Sequence, residues 1–421
     1  MITPIKKINK FYILSFCCMI LLICFSGCIY PKDSNLPDPF MPPPPNAQDL
    51  STITIADAYQ MHDDYRRELE EFRQIYETQS LPHIHFYLFG MGNRQKMIYT
   101  DGALKDISTS DVIKQWEVDE DVIIPSEYMV VLKSTSDELV IIFEDDQCVW
   151  TLENAIFTCM TSGELNLPDF KEQPYPHILR VLHQEILINI KDGEPLPNFM
   201  AYSTPWYRDA ASIAMVLENT NNLDLIAPWI EAIRDPFDRN NGGVEEADNL
   251  GQVLYLVSLV SDKDHPVVKE ILERIPEFAI DSHIEGLTDF SQRPVYQTAW
   301  LKFGLSALGL DDPFTIPDVP DSYGALFWMD FRKEITESTS SFDSAVNYPY
   351  LTWAEDHFYG NYNGRISDQI YPLTWESQAS AAQYEEMAIV SDEYVKSQTT
   401  APHAWHAAEM FLALADPSYP W

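Results

Sequence analysis

The chain predicts a mainly α protein: an (α/α)6-type toroid of helical hairpins that follows a small N-terminal antiparallel β domain. Three observations predict it. Short runs rich in β-branched and aromatic residues, separated by turn formers, fill residues 83–160. After Pro168 the apolar spacing changes to a period of 3.6, with no convincing strand. Finally, six of the later helical stretches open on aromatic or acidic residues after polar or proline-containing loops, and then become small and apolar. Helices that line the inside of a toroid should read this way, because they pack on both sides while their first turns gather at one end.

Taken in order, the first ten residues carry Lys6, Lys7 and Lys10 and no acid, and Phe11 to Phe25 are almost entirely apolar. That stretch is short for a membrane span and suits the apolar region of an export signal. It ends in "FSGC", which resembles the lipobox of bacterial lipoproteins. The likeness implies that residues 1–27 are a signal peptide and that the mature chain begins at Cys28 with lipid on its sulfur. The body would then sit at the extracytoplasmic face of the bacterial cell membrane, and an uncleaved anchor would leave it on the same side. Seven prolines between Pro31 and Pro45 make residues 28–50 an extended tether.

Residues 51–168 are expected to form the first domain. Asp57 to Tyr76 spaces Tyr59, Leu69, Phe72 and Tyr76 among charges, as an amphipathic helix does. The strand runs follow: "HIHFYLFG", "QKMIYT", "YMVVLKS", "ELVIIFED", "CVWTLE" and "AIFTCM". Cys148 and Cys159 are the two cysteines of the body, and a two-residue turn at Glu153 and Asn154 would set them across a hairpin. A disulfide there and two buried thiols are both open readings.

Residues 169–421 are expected to form the toroid. Helical stretches fall at His177 to Ile190, Thr204 to Asn219, Leu223 to Ile233, Glu245 to Val260, Pro266 to Phe278, Pro294 to Leu308, Tyr350 to Phe358, Trp375 to Ile389 and Pro402 to Leu414. A tenth is possible at Tyr323 to Phe331. An irregular helical bundle is the plainer alternative.

Charge narrows the partners. The whole chain carries 27 − 65 = −38, and loss of the three signal lysines gives 24 − 65 = −41. Nucleic acid and anionic headgroups would be repelled, which leaves solubility or a neutral partner as the meaning of the charge.

The helical half, about Pro174 to Leu414, resembles the six-hairpin glycosidase superfamily of glucoamylase-like enzymes. "PWYRDAA", "VEEADN" and "APHAWHAAEMFLAL" carry the likeness. It implies a glycoside hydrolase acting on a neutral oligosaccharide or polysaccharide, inverting in stereochemistry, with no cofactor and no metal. Glu245 would be the general acid, and Glu393 in "VSDEYVKSQTTAP" the base. Arg208 and Asp209 would hold substrate hydroxyls, with Trp206, Trp353, Trp375 and Trp405 stacking on sugar rings. Glu246 stands beside the acid, while Asp356 and Glu376 rival the base. Glycoside hydrolysis needs such a pair, one carboxyl protonated and one ionised. Loss of one carboxylate would leave a non-catalytic glycan-binding lipoprotein, and a structural lipoprotein with an empty cavity is a third reading.

Blander roles exist for the same residues. First-turn acids stabilise a helix start. Asp238, Asn240, Gly243 and Glu246 fit part of a calcium-loop pattern, but Gly242 and Asn249 break it. His403, His406 and Glu409 recur on one helix face at metal-ligand spacing, without a partner motif elsewhere. No phosphate-cradling loop, nucleophile elbow or paired CxxC motif occurs.

Overall fold

A computed structural model describes residues 42–74, 85–317, 319, 323, 394, 399, 401 and 403–415. It overturns the mainly α toroid. Among the described residues, two sizeable antiparallel sheets of four and five strands stand beside nine α-helices, with 38% of these residues helical and 22% in strands. The likeness to the six-hairpin enzymes falls with that fold. The helices expected at 323–331, 350–358 and 375–389 lie outside the described residues, as do Cys28 and the tether up to residue 41.

The first sheet is a meander of β1 (Phe86–Phe89), β2 (Met97–Thr100), β3 (Ala103–Asp106) and β4 (Val112–Gln115). Asp101 and Gly102 turn β2 into β3 with φ of 49° and 73°, the left-handed pair that a two-residue hairpin needs. The second meander comprises β5 (Val118–Ile124), β6 (Met129–Ser134), β7 (Leu139–Glu144), β8 (Cys148–Glu153) and β9 (Ile156–Ser162). Its last turn falls at Asn154 and Ala155, one residue later than expected, because Glu153 pairs with Ile156. A disulfide joins Cys148 and Cys159, with Cα atoms 5.9 Å apart.

Strands β3, β4 and β5 were not anticipated. Their sequences "ALKD", "VIKQ" and "VDEDVII" mix charge with short apolar runs, and Val112, Gln115, Asp119 and Asp121 of β4 and β5 face water. The second sheet, by contrast, is covered on both faces. Val130, Leu132 and Ile142 enter the large core, while Val131, Ile141 and Phe143 alternate onto a smaller core under α1 (Ala47–Leu50) and α2 (Ile55–Gln74). The large core continues without a break past residue 168 into the helices.

Those helices are α3 (Pro176–Leu187), α4 (Tyr207–Asn219), α5 (Ala227–Glu231), α6 (Asp248–Val260), α7 (Pro266–Phe278), α8 (Pro294–Ala307) and α9 (Ala404–Ala415). Five of them form an array in the order α3–α9–α4–α6–α8, so the last helix slots between two early ones. Helices α6 and α8 touch through glycine: a Cβ at Gly251 would strike the backbone of Trp300 and Leu301, and one at Gly304 would lie 2.7 Å from the Leu254 Cβ. That close crossing brings the start of α6 near the loop before α8, where the polar cluster lies. Two short pairings, β10 (Ile190–Lys191) with β11 (Glu194–Pro195) and β12 (Ala279–Ile280) with β13 (His283–Ile284), interrupt a region expected to hold no strand.

Candidate functional site

Three loops converge at the first turn of α4. The chain reaches it through Trp206 in extended conformation, and Asp238 Oδ2 from the next loop accepts the Tyr207 N–H at 2.7 Å. That remote carboxylate serves where a side chain at the N-cap ordinarily would. Arg208 and Asp209 follow in the first turn, both 3% exposed.

The second loop carries the acidic pair. Helix α6 starts at Asp248 and not at Glu245, because the backbone of Glu246 bridges to Leu287 and the Ala247 N–H donates to the Leu287 carbonyl at 3.1 Å. This pairing fixes which glutamate turns inward. Glu245 points outward to Arg239 (2.8 Å) and Arg274 (2.5 Å), and these two guanidinium groups hold its carboxyl below the ordinary range. Such a group is ionised at neutral pH and is poorly suited to give a proton. Glu246 is buried instead, and the inward role expected of Glu245 passes to it.

The third loop is a tight turn closed by Thr288 and Ser291, each N–H donating to the other's carbonyl at 2.8 and 3.1 Å. Its central residues Asp289 and Phe290 have φ of 45° and 60°. Non-glycine residues in that region carry strain of about 1–3 kcal/mol each. The turn persists because neighbours hold it on several sides. Glu246 Oε1 accepts the Asp289 N–H at 2.5 Å, Thr288 Oγ1 donates to Asp248 at 2.5 Å, and Gln297 Nε2 donates to Thr288 Oγ1 at 2.9 Å.

The result is one guanidinium among three carboxyls. Arg208 Nη2 donates to Asp289 at 2.8 Å, and Nη1 lies 3.3 Å from Asp248 and 3.5 Å from Glu246. The rings of Trp206, Tyr323 and Trp405 approach the guanidinium at 5.7, 5.8 and 5.9 Å. Asp289 also accepts from Asn241 (3.3 Å) and from the Tyr323 hydroxyl, and its side chain remains 31% exposed.

One arginine cannot neutralise three carboxyls, two of them buried. Burial, reinforced by the charge of Asp248, pushes Glu246 up to about 7 despite Arg208 beside it. Burial also raises Asp248, against the pull of Arg208. The Glu246 Oε2 atom is buried and accepts no hydrogen bond among the described residues. Burial likewise raises Asp209 to about 7 and lowers His403, 3.4 Å away, to about 4, so at neutral pH this contact joins a carboxyl of raised pKa to a neutral ring. Tyr202 meets both Trp206 and His403 edge-on at 5.8 Å.

Of the residues expected at a site, Trp206, Arg208, Asp209, Glu246 and Trp405 come together here, and Glu245 lies beyond them. Glu393, Trp353, Asp356, Trp375 and Glu376 lie outside the described residues. Asp248, Asp289, Tyr202 and Tyr323 were not singled out as site residues. The strongest signal for Asp289 is its place in a polar loop before a proline-started helix, a pattern shared by many ordinary loops. Asp238 and Glu246, the ends of the partial calcium pattern, are consumed by backbone N–H groups. Among the described residues no group of three His, Cys, Asp or Glu side chains is disposed to hold a metal ion. No family model, curated protein or solved structure matches the chain.

Proposed function

We propose that the Arg208 cluster is the working centre of a carbohydrate-active protein that hydrolyses a non-anionic glycan, with Glu246 as proton donor and Asp289 as the partner carboxylate. One observation carries this reading: a buried Glu246 carboxyl that keeps its proton up to about pH 7, with one oxygen held only by the 3.5 Å contact to Arg208, near an ion-paired carboxylate open to water. A glycosidic oxygen leaves poorly unless protonated, and an acid matched to neutral pH serves best. The Glu246 proton would pass to that oxygen as the C–O bond breaks. Water would add to the anomeric carbon and lose its proton toward Asp289, restoring charge balance. The exposed sides of Trp206 and Tyr202 offer faces for sugar rings, and the surplus of carboxyls over a single committed arginine disfavours anionic sugars.

Hydrolysis of a panel of neutral oligosaccharides, followed by reducing-end release, tests the reading. Glu246→Gln should cut turnover by about 10²–10⁴-fold while sugar binding survives. Unchanged turnover would remove Glu246 from the mechanism. A second reading, a glycan receptor without catalysis, is favoured by the three donors that already engage Asp289 and weaken it as a base. It predicts binding by the wild type with no turnover on any member of the panel.

The lipoprotein likeness of "FSGC" supports attachment to the outer face of the cell membrane through lipid on Cys28. Labelled palmitate should enter the wild type and not Cys28→Ser; label in neither, or equally in both, would refute the anchor.

A further inference from the structure

A well-formed cavity lies away from Arg208. It is a cleft of about 710 Å³ where the N-terminal helices meet one end of the five-stranded sheet. We propose that this cleft docks a basic, partly apolar peptide segment of a partner protein.

Its size falls in the range of pockets that enclose a ligand, roughly 300–1,000 Å³. The floor is apolar, made by Leu50, Met129, Phe143 and Leu167 from four separate stretches of chain. The rim is acidic, with Asp49, Asp57 and Asp146 exposed around it. One cation, Arg180, lines the cleft, and it is already committed. Its Nε donates to the Ser126 carbonyl, its guanidinium lies 3.5 Å from Glu127, and it stacks over the Tyr128 ring at 4.5 Å. Charge at the mouth is therefore negative, with no uncommitted cation among the described residues that line it.

An anionic or purely apolar occupant would leave that rim uncompensated or repelled. Lysine or arginine side chains flanking large apolar ones match both layers at once: ammonium or guanidinium groups meet the rim, and aliphatic groups leave water on the floor. Long-range attraction from a chain of net charge −38 would bring such a segment in, and the apolar floor would distinguish it from any other polycation.

The test uses the full chain and two labelled peptides of equal length and charge, one alternating lysine with leucine and the other lysine with serine. Fluorescence anisotropy should give the lysine–leucine peptide about tenfold or greater preference, the effect of removing leucine side chains from water. Asp49→Asn with Asp146→Asn should weaken that peptide about three- to fivefold. Asp262→Asn with Asp264→Asn, which do not line the cleft, should leave it unchanged, as should Glu246→Gln. Equal affinity for the two peptides, or equal loss in the two double variants, would reduce the interaction to diffuse charge and overturn the proposal. Displacement of the peptide by a neutral oligosaccharide would overturn it as well.

Discussion

Two buried arginines in this molecule meet carboxylates in opposite ways. Arg94, in the loop between β1 and β2, faces a single acid: its Nη1 donates to Glu144 at 2.8 Å, and Glu144 also accepts the N–H groups of Gly90 (2.9 Å) and Met91 (2.7 Å). Both oxygens of that carboxylate accept hydrogen bonds, and the remaining Arg94 N–H groups reach the carbonyls of Asp145 and Gly163. Arg208 faces three carboxyls, and one of them, Glu246, has an oxygen that accepts no hydrogen bond among the described residues and meets Arg208 only at 3.5 Å. The difference teaches how to tell a lock from a working site. A one-to-one pair with filled hydrogen bonds fixes a loop, whereas an oversubscribed cation leaves protons on neighbouring acids that a reaction can use.

The largest test is removal of each cation. Arg94→Met strands Glu144 in a buried site and should cost about 3–5 kcal/mol in denaturant unfolding. Arg208→Met should cost less, about 1–3 kcal/mol at pH 6, because Glu246 and Asp248 can take up protons once the guanidinium is gone. Equal losses would break the comparison.

A smaller contrast lies on the acid side. Glu144→Gln loses charge-assisted bonds to Arg94 and two backbone N–H groups, for about 1.5–3 kcal/mol. Glu246→Gln removes an acid that is already protonated near neutral pH, and should stay within about 0.5 kcal/mol of the wild type at pH 6 by the same measurement.

Stability against pH sharpens the point. Glu246 titrates at about 7 in the fold against an ordinary 4.5, so between those values the folded chain holds a proton that the unfolded chain has released. Its contribution is fully present below the unfolded value and is lost as pH rises through about 7. Asp209 acts in the same direction, whereas Lys96, lowered to about 7 by burial, acts oppositely above that pH. The difference in Tm between wild type and Glu246→Gln isolates the glutamate. That difference should favour Glu246→Gln increasingly from pH 5 to pH 8.5, and a flat difference would place the proton elsewhere.

A modest loss is expected at Tyr323, whose hydroxyl donates to Asp289. Tyr323→Phe should cost about 1 kcal/mol and leave the other two donors to Asp289 in place. A loss several times larger would mean that the strained turn at Asp289 depends on this one contact.

Much of the helical half is legible in the chain. Pro266–Phe278 matches its expected bounds, and Pro294–Ala307 and Ala404–Ala415 fall within two residues of theirs, because proline starts and 3.6-residue apolar spacing are local signals. The toroid expectation failed where local signals are weakest. Strands β3 to β5 read as charged linkers, since a strand with polar outer positions gains its stability from hydrogen-bonded neighbours that the sequence does not announce. The site divides in the same way: "RD" and "EEAD" stand out as acid-bearing helix openings, while Asp289 is marked only by a polar loop before a proline-started helix, as many ordinary loops are.

The sequence by itself determined an acidic chain, the periodicity that makes its helices, the turn residues of its hairpins, and the short list of carboxyls that could matter. Only tertiary structure decided which carboxyls matter. The pairing of Glu246 with Leu287 turns one glutamate inward and its neighbour out to Arg239 and Arg274, and the Gly251–Gly304 crossing draws the start of α6 toward the Asp289 turn. Protonation at neutral pH follows from burial and from nearby charge, and both depend on neighbours that are distant along the chain.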